Sequence, residues 1–83
     1  MEKHSVGVIA IIVKKRSVTA PRVNDVLTQY GSIIVGRMGL PHHKRDLNII
    51  TLIVDASNEQ IGSLTGKLGM IKDVKVKAAL AKV

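Results

Sequence analysis

Residues 5–14 read SVGVIAIIVK and residues 47–55 read LNIITLIVD. Both runs are rich in β-branched residues and are bounded by charge, so both predict strands. In each, both alternating sets are apolar. Val6, Val8, Ala10 and Ile12 form one set of the first run, and Ile9, Ile11 and Val13 the other. In the second run Ile50, Leu52 and Val54 oppose Ile49, Thr51 and Ile53. Strands that are apolar on both sides are strands that something covers on both sides.

Outward from these runs the period changes. Val23, Val26, Leu27 and Tyr30 fall at i, i+3, i+4, i+7 and predict a helix over residues 20–30. Thr19 or Ala20 is its expected N-cap region, Pro21 its first turn, and Gly31 the left-handed residue after its end. Residues 33–41, IIVGRMGLP, predict a second strand in which Gly36 and Gly39 mark bulges or a close backbone contact. Pro41 to Asp46 form a polar hairpin connection. Ser57-Asn58-Glu59-Gln60 is a capping box, followed by the helical stripe Ile61, Leu64, Thr65 and Leu68, with Gly69 at the end. Residues 74–81 predict an amphipathic edge strand, with Val74, Val76, Ala78 and Leu80 against Lys75, Lys77, Ala79 and Ala81.

The order strand–helix–strand–strand–helix–strand predicts a single α+β domain over residues 1–83 on the ferredoxin-like βαββαβ plan. Its sheet is antiparallel, in the order 4-1-3-2, with two helices on one face. The doubly apolar runs are then the central strands, and the helices cover only one side of them. Ile49, Thr51 and Ile53 stand on the other side with one set from the first strand, and Ile33 and Val35 are expected to flank them. A bare patch of that kind exceeds what a monomer usually exposes. Fully burying each large apolar side chain is worth about 1.5–3 kcal/mol, comparable in sum to the stability of a small domain. The expected partner is a second copy, joined face to face or through a continuous sheet, in a homodimer or homotetramer.

Composition narrows the function. Tyr30 is the only aromatic residue, which disfavours single-strand nucleic-acid binding by base stacking. There is no cysteine, so disulfides, iron–sulfur ligation and thiol nucleophiles are excluded within the chain. The net charge of +7 favours anionic partners. The apolar run 6–13 is too short to span a membrane and lacks a cleavage pattern, so a cytoplasmic location is expected. No nucleophile elbow, phosphate-binding loop or paired carboxylates are present, and the chain is not expected to be an enzyme or to hold a cofactor.

Four groups of residues are candidates for function. The topology brings Lys14, Lys15, Arg16, Lys44 and Arg45 to one end of the sheet as an anion surface. His42 and His43 are the candidate metal ligands, completed across a subunit interface because neighbouring residues of an extended chain point to opposite sides. Arg37, Met38 and Gly39 on the second strand are candidate ligand contacts, Arg37 for its fork of donors. Gly62 and Gly66, with Gly69, make a small-residue stripe on the second helix. Tight helix packing is one reading of it, and a ligand crevice or subunit contact the other.

The run Gly36-Arg37-Met38-Gly39-Leu40-Pro41 occurs with Thr65-Gly66-Lys67-Leu68-Gly69, the opening VGVIAIIV, Val23-Asn24 and the closing Val74-Lys75-Val76-Lys77. In these features the chain resembles the small iron-only hydrogenase system regulators, over nearly its whole length. Members of that family look like free-standing ACT-like domains and are similar to the C-terminal domain of nickel-responsive repressors. The resemblance implies a non-enzymatic, homo-oligomeric regulatory module that binds a small ligand or partner. Its alternative is a nickel-type metal sensor with histidines at a subunit interface. The repressors' nickel residues do not carry over, since they include a cysteine. Nor does the amino-acid site of ACT domains, which uses a glycine between the first strand and the first helix. DNA binding does not carry over either, since no ribbon–helix–helix segment precedes the domain.

Overall fold

The computed structural model describes residues 4–82. The elements run β1 (His4–Lys14), α1 (Arg16–Gln29), a 3-10 turn (Gly31–Ile33), β2 (Ile34–His42), a second 3-10 turn (His43–Arg45), β3 (Leu47–Ser57), α2 (Asn58–Gly69) and β4 (Val74–Lys82). The strands form one antiparallel sheet in the order β2-β3-β1-β4, which is the expected 4-1-3-2.

Both helices lie on one face. Ile9, Ile11 and Val13 of β1 pack there with Ile50, Leu52 and Val54 of β3, beneath Val23 and Leu27 of α1 and Ile61, Leu64 and Leu68 of α2. The helical stripes read from the sequence are therefore the buried ones, and Thr19 extends that of α1 by one turn. Tyr30 ties the helices together. Its hydroxyl lies 2.6 Å from Ser63 Oγ, and Lys67 Nζ stands 5.3 Å from its ring centroid. The Ser63 hydrogen bond first, and the Lys67 ammonium second, hold the phenol below its ordinary pKa.

The capping box is formed: Gln60 N–H donates to Ser57 Oγ at 3.2 Å, and Ser57 N–H donates to Gln60 Oε1 at 3.0 Å. Ser57 is buried, and beside it Ser5 Oγ donates to Asn58 Oδ1 at 2.6 Å. Ser57→Ala is therefore expected to cost about 1 kcal/mol and to lower Tm by about 4–8 °C, read in a thermal melt.

Three local expectations are corrected. Helix α1 starts at Arg16, not near residue 20, because Lys15 alone makes the turn from β1 in a left-handed conformation (φ 51°). Pro21 thus sits inside the helix and not in its first turn. Gly31 has no positive φ; the chain leaves α1 through the 3-10 turn, and the helix is closed by Tyr30 N–H bonding back to Val26 and Leu27. In β2 the pairing with β3 jumps from Ile34–Val54 to Gly36–Ile53, so of the two readings of its glycines the bulge is present, beside Gly36 with Val35 as its extra residue, and the close contact is the one corrected. Neither Gly36 nor Gly39 has a neighbour within 4 Å of where a Cβ would stand, so neither marks a close backbone contact.

Candidate functional site

The sheet face away from the helices is covered by no described element of the chain. Cross-strand register defines it row by row: Gly36–Ile53–Val8–Ala79, Met38–Thr51–Ala10–Lys77 and Leu40–Ile49–Ile12–Lys75. Val8 is 44% exposed, Ile53 47%, Leu40 62% and Met38 69%, which is a large apolar area in water for a chain of this size. Its charged residues are peripheral. Lys75 and Lys77 stand on the β4 edge, and Asp55 stands at the far end of β3 with His4 Nδ1 3.6 Å away.

Ile49, Thr51 and Ile53 occupy this face as read from the sequence. Ile33 and Val35 do not. Ile33 is buried in the helix-side core from its place in the 3-10 turn. Val35 lines a shallow depression with Leu27, Thr28 and Gly31 at the end of α1. The turn and the bulge change the phase of β2, and a slip of one residue exchanges the two faces of a strand. Met38 and Leu40 take the places expected of Ile33 and Val35. Leu40 went unread as a surface residue, and the sequence signal for it was the even-numbered alternation after Gly36.

The second candidate is the end of the sheet where β1, the His43–Arg45 turn and the start of β4 meet. Lys14 N–H donates to the Asp73 carbonyl at 2.8 Å, and Lys15 Nζ lies 3.9 Å from the Asp73 carboxylate. Lys15, Asp46 and Asp73 are the only non-glycine residues with positive φ among those described, at 51°, 52° and 69°. All three line one open depression of about 490 Å³ with Lys14, Arg45 and Leu47. A left-handed backbone costs an L-residue roughly 1–2 kcal/mol, and such costs gather where a site is held in shape. In the neighbouring depression Arg16 Nη1 lies 3.0 Å from His43 Nδ1. A guanidinium can only donate, so Nδ1 accepts and the ring proton of a neutral His43 is on Nε2. Four of the five residues read as an anion surface thus converge on two adjoining hollows, while Lys44 lines neither. Asp46 and Asp73, absent from that reading, bring negative charge into the same place.

The remaining candidates are dispersed. Arg37 is on the helix side of β2, where its Nη2 donates to Asn24 Oδ1 at 3.2 Å, and Met38 is on the opposite side. Gly62 and Gly66 flank α2 near β4, three strand spacings from Gly39, or about 14 Å. One chain therefore does not gather Arg37, Met38, Gly39, Gly62 and Gly66 into one pocket. Nothing lies within 4 Å of a Cβ placed at Gly62, Gly66 or Gly69, so the stripe is not for packing within this chain. His42 and His43 are both exposed, and among the described residues no group of three or more possible metal ligands occurs. No helix of the described residues is long and apolar enough to cross a membrane.

A family model described as "TM1266-like: Iron-only hydrogenase system regulator, putative" matches residues 5–78. The solved structure of the TM1266 protein from Thermotoga maritima is 32% identical, covers 96% of this chain and 100% of its own, and superposes with a TM-score of 0.91. The apo form of CPII from Thiomonas intermedia K12, a nitrogen regulatory PII-like protein, is 16% identical and covers 100% of this chain and 97% of its own, at a TM-score of 0.61. The same CPII bound to ADP, AMP and bicarbonate is 15% identical, covers 98% of this chain and 96% of its own, and has a TM-score of 0.57. These last two likenesses are of fold. No curated protein matches the chain.

Proposed function

The chain belongs to the TM1266-like family of iron-only hydrogenase system regulators, and from that premise we propose that it is a non-enzymatic, homo-oligomeric regulatory module whose assembled form responds to a small anionic ligand. The observation that carries this is the bare apolar face of β1, β2 and β3. Val8, Met38, Leu40, Ile49 and Ile53 stand together there, with charge only at its margins. Five apolar strand positions side by side are what an obligate interface presents, a core cut in half. A second copy supplies the other half.

The ligand reading rests on the end of the sheet. Lys14, Lys15, Arg16 and Arg45 bring four positive charges to adjoining hollows. The CPII structure of the same fold was solved with ADP, AMP and bicarbonate bound, so these are the anions to test first. Charge and strained backbone at this end support the placement.

Sedimentation velocity at micromolar concentration is expected to give at least a dimer, and a single chain there would end the reading. A thermal-shift series with ADP, AMP, bicarbonate and divalent metal salts tests the ligand. A ligand held by the native state at 100 times its Kd stabilises by about 2.7 kcal/mol, a Tm rise of about 10 °C or more. The rise is expected with one of the anions and is expected to vanish in Lys15→Ala and Arg45→Ala. A response to a divalent metal alone, lost in His42→Ala and His43→Ala, would move the function to the metal-sensor class.

A further inference from the structure

The two edges of the sheet are unlike. The β2 edge carries the bulge at Val35, two glycines and Pro41, all of which spoil an edge for further pairing. The β4 edge is a regular nine-residue strand, Val74–Lys82, and no described strand pairs with its outer side. From Lys77 onward every described residue of it is exposed.

We propose that β4 pairs antiparallel with β4 of a second copy, joining two sheets into one of eight strands. The proposal goes beyond the face-to-face reading and does not rest on it. The sequence of the strand, VKVKAALAK, is its evidence. Antiparallel self-pairing with full overlap is centred on Ala78, so that residue numbers of opposed pairs sum to a constant. Lys75 then faces Ala81, Lys77 faces Ala79, and Val76 faces Leu80 of the other copy. Slipping the register by one step toward the start of the strand would set Lys77 against Lys77, and like charges directly opposed destabilise a pair. Only the fully overlapped register pairs the whole strand while keeping every lysine opposite an uncharged residue, Lys75 and Lys77 opposite alanines and Lys82 opposite Val74. Leu80, 46% exposed on the helix side, gains an apolar neighbour in Val76. At each end of the ribbon Lys82 faces Val74 of the other copy, so no like charges meet there.

The same twofold accounts for the glycine stripe. On α2 the core stripe is Ile61, Leu64 and Leu68, and Ser63 and Lys67 face Tyr30, which caps the end of α1. The opposite flank is Gly62, Thr65, Gly66 and Gly69. Thr65 and Gly69 line an open groove with Val74 to Ala78, so this flank looks over the β4 edge. Joining two β4 strands brings the two α2 helices side by side. Packed helices stand about 8–10 Å apart, and small residues on the facing flanks let them meet. Three helix glycines, each costing about 1 kcal/mol relative to alanine, find no use inside one chain and find one here.

The test uses the absence of cysteine from the chain. Ala78→Cys places one thiol on the twofold, opposite its own copy, at the Cα separation a disulfide spans. Ala81→Cys places its two thiols about 20 Å apart. On mild oxidation Ala78→Cys is expected to run as a covalent dimer and Ala81→Cys as a single chain. Gly66→Glu, which meets nothing within the chain and is a better helix former, is expected to melt no lower than the parent at low concentration while removing one interface in sedimentation. Equal cross-linking of both cysteine variants, or of neither, overturns the proposal, as does a mass unmoved by Gly66→Glu. If Ile53→Asp still changes the mass when these fail, only the edge pairing falls; if cross-linking succeeds and Ile53→Asp changes nothing, only the face-to-face reading falls. A purified protein that stays a single chain throughout leaves the edge to a strand of some other protein and overturns self-pairing.

Discussion

Ile53→Asp is expected to leave the protomer folded and to weaken its self-association by about a thousandfold or more. Ile53 sits in the middle of the helix-free face, with Val8 of β1 on one side and Gly36 of β2 on the other. In one protomer its side chain is half in water, so a carboxylate at this position remains hydrated and the helix-side core is untouched. The cost to the protomer is a poorer strand former and a few lost contacts, within about 1 kcal/mol. The cost to the assembly is of another size. Closing a second apolar face over a carboxylate strips its water and offers no partner, a penalty of several kcal/mol. About 4 kcal/mol is a factor of roughly 10³ in Kd. Sedimentation equilibrium reads this directly, and circular dichroism confirms the retained fold. An assembly as tight as the parent's would mean that this face is not where copies meet.

The difference between the face and its flanks shows what a single sequence reveals. Wherever the pattern is a property of a residue and its near neighbours, the reading holds. Both alternating sets of β1 and β3 are apolar, so their central places in the sheet follow whichever face is which. Ser57 and Gln60 are three residues apart and make their own reciprocal bonds, so α2 begins where they stand. Arg16, Ser17 and Val18 carry no apolar period, and the left-handed Lys15 that starts α1 early is not a residue type that announces itself. The bulge at Val35 is set by pairing with β3, and it decided which of Val35 or Met38 lies on the helix-free face. Gly62, Gly66 and Gly69 were visible as a stripe, but whether a neighbour lay across from them depended on the placement of other elements. The gathering of positive charge at this end of the sheet was legible as charges at three strand ends. Asp46 and Asp73 were not, because their part comes from backbone conformation and from hollows that form only when those ends meet.

Gly7→Ala is expected to destabilise the fold by about 1–3 kcal/mol or more, against the usual sign for that substitution. Gly in a strand normally costs about 0.5–1 kcal/mol relative to Ala, so adding a methyl should help. Here Gly7 is buried on the helix side of β1, opposed by Val54 of β3 and Leu80 of β4. A Cβ at that position would run into the side chain of Leu80 and stand 2.5 Å from the carbonyl oxygen of Ala79. Leu80 can turn its side chain aside; a backbone carbonyl cannot move without shifting β4 away from β1. The two contributions separate in a double-mutant cycle. Leu80→Ala removes the flexible half of the clash, so in that background Gly7→Ala should cost less than in the parent, yet still lower Tm because the Ala79 oxygen stays. Each kcal/mol is worth about 4–8 °C in a domain of this size, so both steps fall within reach of a thermal melt. A melting point raised by Gly7→Ala would place β4 farther from β1 than this register allows, and with it would go the straight, regular edge on which the pairing of two β4 strands depends.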